Sequence, residues 1–194
     1  MARNLYIIAG CNGAGKTTAS YTVLPGVLDC QEFVNADEIA KGLSPFHPET
    51  QSITAGRLML QRIDALLKDG RSFSIETTLA TRHYLSLIER AKKLDYRVTL
   101  LFFWLPSADM AIQRVQRRVS EGGHNIPEEV IRRRYHLGLK YFFHLYQSEV
   151  DYWMLVNNSS SPREVIATGG KDKEQYVTNI EEYQKIQEYV GARK

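Results

Sequence analysis

Ile7-Ile8-Ala9-Gly10-Cys11-Asn12-Gly13-Ala14-Gly15-Lys16-Thr17-Thr18 decides how the rest of the chain is read. An apolar run beginning at Leu5 ends in Gly-x-x-x-x-Gly-Lys-Thr, and a helix-compatible segment follows. This is the strand–loop–helix setting of a phosphate-binding P-loop. Gly10, Gly13 and Gly15 let the backbone turn tightly enough for successive N–H groups to face an anion. A helix starting near Lys16 adds the positive end of its dipole to the same place. Lys16 reaches toward the β- and γ-phosphates of a nucleotide, and the Thr17 hydroxyl is the expected Mg²⁺ ligand. The nucleotide-binding segment is therefore Gly10 together with Asn12, Gly13, Ala14, Gly15, Lys16, Thr17 and Thr18.

The remaining composition is that of a globular α/β protein. The 194 residues are 43% hydrophobic and 24% charged, with a net charge of +3, and predict a single domain over 1–194 with a substantial core. So small an excess does not point to nucleic acid. The charge is concentrated, however: Arg114, Arg117, Arg118, Arg132, Arg133, Arg134 and Lys140 face only Glu121, Glu128 and Glu129 between positions 114 and 140. In a P-loop protein such a cluster first suggests the nucleotide's own phosphates. Two cysteines, Cys11 and Cys30, form no disulfide framework. Cys11 lies within the P-loop, where a bridge would hinder nucleotide entry, so it reads as a tolerated small residue rather than a redox switch. Reduced thiols, no signal-type apolar run and no uncharged stretch of spanning length predict a cytoplasmic protein without membrane attachment.

Apolar runs alternate with helical patterns, which predicts a parallel sheet covered by helices. Strands are expected at 5–9, 32–35, 73–77, 98–105 and 153–157, with an edge strand at 165–168. Helices are expected at 54–67, stopped by Asp69-Gly70, and at 84–94. A further helix runs to about Val119 from an N-cap at Ser107. After a break at 121–125, in which His124 reads as a turn residue, Pro127 suits the first turn of a helix running to about Glu149. A terminal amphipathic helix is expected at 180–189, within a tail of about 169–194. The two Arg-bearing helices, joined through Gly122-Gly123, have the layout of a lid over a triphosphate, spanning about 114–134.

The second strand ends at Asp37. Ligands of open α/β sheets lie beyond the carboxyl ends of the strands, so Asp37 should face the P-loop pocket, as a proton acceptor, a metal contact or a helix N-cap. Glu38 suits the first helical turn that follows. The third strand runs directly into Glu76, a carboxylate that is costly there unless solvated, paired or near a metal. A Mg²⁺-water or acceptor-hydroxyl contact is the reading adopted for it. Thr77 and Thr78 follow, and Arg82 is placed to clamp an anionic acceptor. The strand at 98–105 carries no terminal acid and no Ser-Gly-Gly-Gln follows. These absences weigh against motor ATPases, transporter ATPases and GTPases, and toward kinases with their acid on a neighbouring strand.

Taken together, the P-loop, Asn35-Ala36-Asp37-Glu38-Ile39-Ala40, Glu76-Thr77-Thr78-Leu79, Tyr96-Arg97-Val98-Thr99-Leu100, and Gly122-Gly123-His124-Asn125-Ile126-Pro127 with Arg132-Arg133-Arg134-Tyr135 resemble the zeta-toxin-like P-loop kinases. The likeness spans most of the chain up to about Asn157. It implies phosphoryl transfer from ATP, with Mg²⁺, to a hydroxyl of a small acceptor, which in the toxins is UDP-N-acetylglucosamine. It also implies Asp37 as base, with Lys16 and Arg118 completing the catalytic set. Arg114, Arg117 or Arg118 would be a lid contact to the nucleotide, and Asp37, Glu76, Thr78 and Arg82 would contact the acceptor. An antitoxin protein is the partner implied. The family carries an arginine four residues beyond the strand-end glutamate; Ala80 stands there in this chain, with Arg82 the nearest candidate. Two other functions fit the same residues: a nucleotide-dependent interaction protein with little turnover, and a polynucleotide kinase. Tyr135, Tyr141, Phe142 and Phe143 read as core rather than as a stacking platform, which disfavours the second.

Overall fold

In the computed structural model, which describes residues 3–123 and 125–192, the strands form one sheet in the order β2-β3-β1-β4-β5-β6-β7. The strands are β1 (Arg3–Ala9), β2 (Phe33–Val34), β3 (Phe73–Thr77), β4 (Tyr96–Trp104), β5 (Tyr152–Asn157), β6 (Glu164–Gly170) and β7 (Lys173–Val177). The first five in chain order run parallel, whereas β6 and β7 are antiparallel to their neighbours. The expected parallel sheet is thus a mixed one, because short connections return the chain along its own edge after β5 and leave no room for a crossover helix. His124 lies outside the described residues.

The helices are α1 (Lys16–Gly26), α2 (Ala36–Leu43), α3 (Ser52–Lys68), α4 (Tyr84–Lys93), α5 (Ala108–Ser120), α6 (Glu128–Tyr141) and α7 (Ile180–Gly191), with a 3₁₀ turn at Pro48–Gln51. The stop signals work as the sequence suggests. Asp69 caps α3 and Gly70 follows at φ +65°, and the Ser107 hydroxyl accepts from Met110 N–H at the start of α5. The long helix expected after Pro127 does not continue unchanged. Beyond Tyr141 its turns widen over Phe142–Tyr146, where Gln147 N–H donates to the Phe142 carbonyl five residues back. Buried Phe142 packs there against Phe102 and Trp153, and a wider turn suits so large a ring.

The core is built on β4, which is buried along its whole length apart from Arg97. Leu100, fully buried, pairs with Ile7 on one side and Trp153 on the other. Within the expected tail, residues 169–192 supply the end of β6, β7 and α7, the last at the place expected for the terminal helix, and Tyr183, Ile186 and Val190 join the core. β7 was not expected from the sequence. Lys173 to Tyr176 are all exposed, so the strand has neither an apolar run nor an alternating face to reveal it. No helix among the described residues is long and apolar enough to cross a membrane. Truncating Leu100 to alanine should cost about 2–5 kcal/mol in urea unfolding with an unchanged m-value, the range for emptying a core position that cannot collapse.

Candidate functional site

The P-loop connects β1 to α1 with three glycines at positive φ: Gly10 at 139°, Gly13 at 80° and Gly15 at 76°. Two of them are also hemmed in by neighbouring backbone. A Cβ on Gly10 would run into the Phe103 carbonyl oxygen, and one on Gly13 would lie 2.6 Å from that of Ala111. The loop is therefore pressed against the end of β4 and the first turn of α5. From behind, the Asn158 amide donates to the Ala14 carbonyl at 2.6 Å. Cys11 and Cys30 are buried free thiols. Burial pushes the Cys11 thiol up to about 11, against a weaker opposing pull from Lys16.

Lys16 is buried, with Nζ donating to the Cys11 carbonyl at 3.0 Å and 3.5 Å from Glu76 Oε1. Glu76 stands near the end of β3, in register with Ile8 of the P-loop strand. Its carboxylate is only 8% exposed. It accepts from Thr17 Oγ1 at 2.8 and 3.1 Å and from Asn35 Nδ2 at 3.0 Å. The acid that β4 lacks is thus on β3, the strand on the opposite side of β1, at the Thr17 hydroxyl. These hard oxygen donors suit Mg²⁺, which binds through one or two carboxylates together with substrate phosphates. Among the described residues no group of three or more His, Cys, Asp or Glu could hold a metal without such help.

A cavity of about 690 Å³ opens beside this network. Thr17, Asp37, Glu38 and Lys41 line one side, and Arg118, Glu121, Val130 and Arg134 line the other. Asp37 is in the first turn of α2 but does not cap it. The cap is Asn35, whose Oδ1 accepts from Asp37 N–H at 2.8 Å, which leaves the Asp37 carboxylate for the cavity. Arg134 extends from α6 across to the P-loop, where Nη1 donates to Asn12 Oδ1 at 3.0 Å. Burial lowers its guanidinium below the usual arginine range, while the Asp37 charge nearby works the other way.

The remaining expected residues are dispersed. Arg118 lines the cavity. Arg114 does not face it; its guanidinium donates to the carbonyls of Asn158 and Ser159, both at 2.9 Å. Arg117 is 83% exposed and paired with Glu121 on its own helix, and Arg132 pairs with Asp109. Glu76, expected at a Mg²⁺-bound water or at the acceptor hydroxyl, is turned toward Thr17 and Lys16. Thr18 is exposed on α1. Thr78 does not line the cavity, and its carbonyl lies under Gly138 of α6, where a Cβ would come within 2.7 Å. Arg82 does not line it either: its guanidinium sits 5.8 Å from the centroid of the Tyr141 ring. Tyr135 and Phe142 are buried, and Tyr141 and Phe143 pack against the core. Arg134 and Asn35 are the site residues that sequence reasoning did not single out. The phase of α6 was the available signal, since Arg134 adjoins the buried stripe of Ile131, Tyr135 and Gly138.

A glycine-rich loop between a central strand and a helix, with an acid on the adjacent parallel strand, defines a P-loop NTPase-like α/β protein. The family model AAA_33, described as AAA domain, matches residues 5–136, and the chain belongs to that family. An uncharacterized protein of Haemophilus influenzae is 27% identical over 135 residues, 70% of this chain and 94% of that one. Among solved structures, a chain of the AvrRxo1-ORF1:-ORF2 complex with ATP superposes with a TM-score of 0.72 at 18% identity, covering 95% of this chain. This chain spans only 63% of that one. A chain of the PezAT chromosomal toxin–antitoxin system of Streptococcus pneumoniae gives a TM-score of 0.68 at 14% identity over 98% of this chain and 87% of its own. At such identities the likeness is one of fold alone.

The raised Cys11 thiol carries a direct expectation. A thiol near 11 holds roughly one hundredth of the thiolate of an ordinary cysteine at pH 8. Iodoacetamide should therefore label Cys11 in the native protein at least about 100-fold more slowly than in urea, as followed by mass spectrometry.

Proposed function

We propose that this chain is an ATP- and Mg²⁺-dependent phosphotransferase that moves the γ-phosphoryl group to a hydroxyl of a small acceptor held in the cavity between α2 and the α5–α6 connection. One observation carries the reading. Asp37 lines a cavity that reaches Thr17 of the P-loop, and Arg134 lines the same cavity while bonded to Asn12 of that loop. A volume of about 690 Å³ suits a metabolite. A UDP-N-acetyl amino sugar is the first acceptor to test, because the motifs resemble those of the zeta-toxin-like kinases.

In this mechanism the P-loop N–H groups and the N-terminus of α1 hold the phosphates, with Lys16 moving from the Cys11 carbonyl to the β/γ oxygens. Thr17 and Glu76 would hold Mg²⁺, which neutralises charge on the phosphates when bound. Asp37 accepts the proton of the acceptor hydroxyl as that oxygen attacks phosphorus. Arg134 and Arg118 stabilise charge on the transferring group from the α5–α6 side, which acts as a lid. A protein antitoxin belongs to the same proposal, supported by the likeness to a chain of the PezAT toxin–antitoxin system.

The test is incubation with ATP, MgCl₂ and either UDP-N-acetylglucosamine or a metabolite extract, followed by mass spectrometry. A new phosphate on an acceptor is expected. Folded, ATP-bound protein that phosphorylates nothing would overturn the reading in favour of a nucleotide-dependent interaction protein. With an acceptor in hand, Asp37→Asn should lower kcat about 10²–10⁴-fold while leaving ATP affinity within about two-fold. Arg134→Ala should lower kcat roughly 10²–10³-fold, whereas Arg117→Ala, removing an exposed surface pair, should stay within about two-fold.

A further inference from the structure

The proposed mechanism gives no role to Asn35, which joins β2 to α2 and is 5% exposed. Its side-chain amide bonds in two directions. Oδ1 accepts from the Asp37 N–H at 2.8 Å, and Nδ2 donates to Glu76 Oε2 at 3.0 Å. Starting α2 requires only the acceptor, which Asp, Ser or Thr would supply equally well. Among these capping side chains, asparagine alone offers an acceptor and an N–H donor on separate atoms of one rigid plane. The donor is thus the half that capping does not explain, and it goes to the carboxylate that Thr17 Oγ1 also touches.

We propose that Asn35 is a positioning residue. It holds Glu76 against Thr17 and fixes the turn carrying Asp37 with the same planar group, so the phosphate-and-metal side and the proton-accepting side of the site are set at one separation. This inference rests on the phosphotransferase reading and concerns residues of this chain only. Without the Nδ2 donor, Glu76 keeps Thr17 and Lys16 but loses one of the two hydrogen bonds to Oε2. Partners one step removed from a metal typically change its affinity about 10–100-fold.

The experiment reads binding rather than turnover, so it stays separate from the acceptor assay. MgCl₂ is titrated into protein with a fluorescent N-methylanthraniloyl-ATP probe, for the native chain, Asn35→Ser, Glu76→Gln and the double variant. Asn35→Ser retains a cap acceptor and should raise the half-saturating Mg²⁺ concentration about 10-fold, with probe affinity in EDTA within about two-fold of native. In the Glu76→Gln background the same exchange should shift half-saturation less than about two-fold, because two groups acting through one contact are not additive. An unchanged half-saturation in Asn35→Ser would overturn the proposal. So would equal shifts in both backgrounds, or a native chain whose probe binding ignores Mg²⁺. If Asn35→Ser does not fold, Asn35→Asp keeps the cap and shape. Paired with Glu76→Gln it reverses donor and acceptor, and it should then recover at least about half, on a logarithmic scale, of the loss seen in Asn35→Asp alone; no recovery would overturn the proposal. A native chain that binds Mg²⁺ and probe but phosphorylates nothing removes the phosphotransferase reading and leaves these titrations to decide the role of Asn35.

Discussion

The Glu76 carboxylate is the group on which two distant pieces of chain, the first turn of α1 and the start of α2, converge. It accepts from the first turn of α1 through Thr17 and from the start of α2 through Asn35, and the P-loop ammonium of Lys16 lies 3.5 Å away. A carboxylate this deeply buried costs several kcal/mol unless its lone pairs are used. Here a hydroxyl, an amide and a cation use them. Such a network is rigid because it is satisfied: rotating any member exposes an unpaired charge in a low-dielectric setting. The orientation of α1 and α2 relative to β3 follows from that constraint, and so does the side of the site that Glu76 serves. Both its oxygens are directed at Thr17, Asn35 and Lys16 rather than into the cavity, which Asp37 lines.

The arginines divide by helical phase. Along α6, Ile131, Tyr135 and Gly138 form the buried stripe, and Arg134 flanks it closely enough to cross to the P-loop. Arg132, two positions earlier, is turned about 200° away and meets Asp109 on the surface. On α5, Arg117 is likewise solvated beside Glu121. Surface pairs of this kind contribute at most about 1 kcal/mol and direct nothing. Charge density in the sequence located the right region, but only the packing of Ile131 and Tyr135 selects the guanidinium that enters the site.

The parts legible in the sequence are those whose constraint is local. Gly10, Gly13 and Lys16 follow from what a phosphate cradle requires, and β4 follows from an uninterrupted apolar run that only a strand buried on both faces would carry. Ser107 announces its helix through a hydrogen bond spanning three residues. The parts not legible depend on distant chain. Asn35 resembles any capping residue until Glu76, 41 positions away, is brought beside it. Arg82 resembles a clamp until Tyr141 is placed beneath it. β7 has no pattern because both its faces are wet, and its pairing comes entirely from β6. Arg114 has the composition of a lid residue, yet the carbonyls of Asn158 and Ser159 exist as partners only once β5 lies against β4.

That last contact bears on how the α5–α6 segment behaves. Asn158 bonds the P-loop at Ala14 and is itself held by Arg163 through Oδ1 at 2.8 Å, while Arg114 grips its carbonyl. The start of α5, the loop after β5 and the back of the P-loop therefore form one unit. Arg118, one turn beyond Arg114 on the same face, already lines the cavity. The two arginines tie different elements to the same loop: Arg114 joins α5 to the segment after β5 that backs the P-loop, and Arg134 joins α6 to the P-loop directly at Asn12.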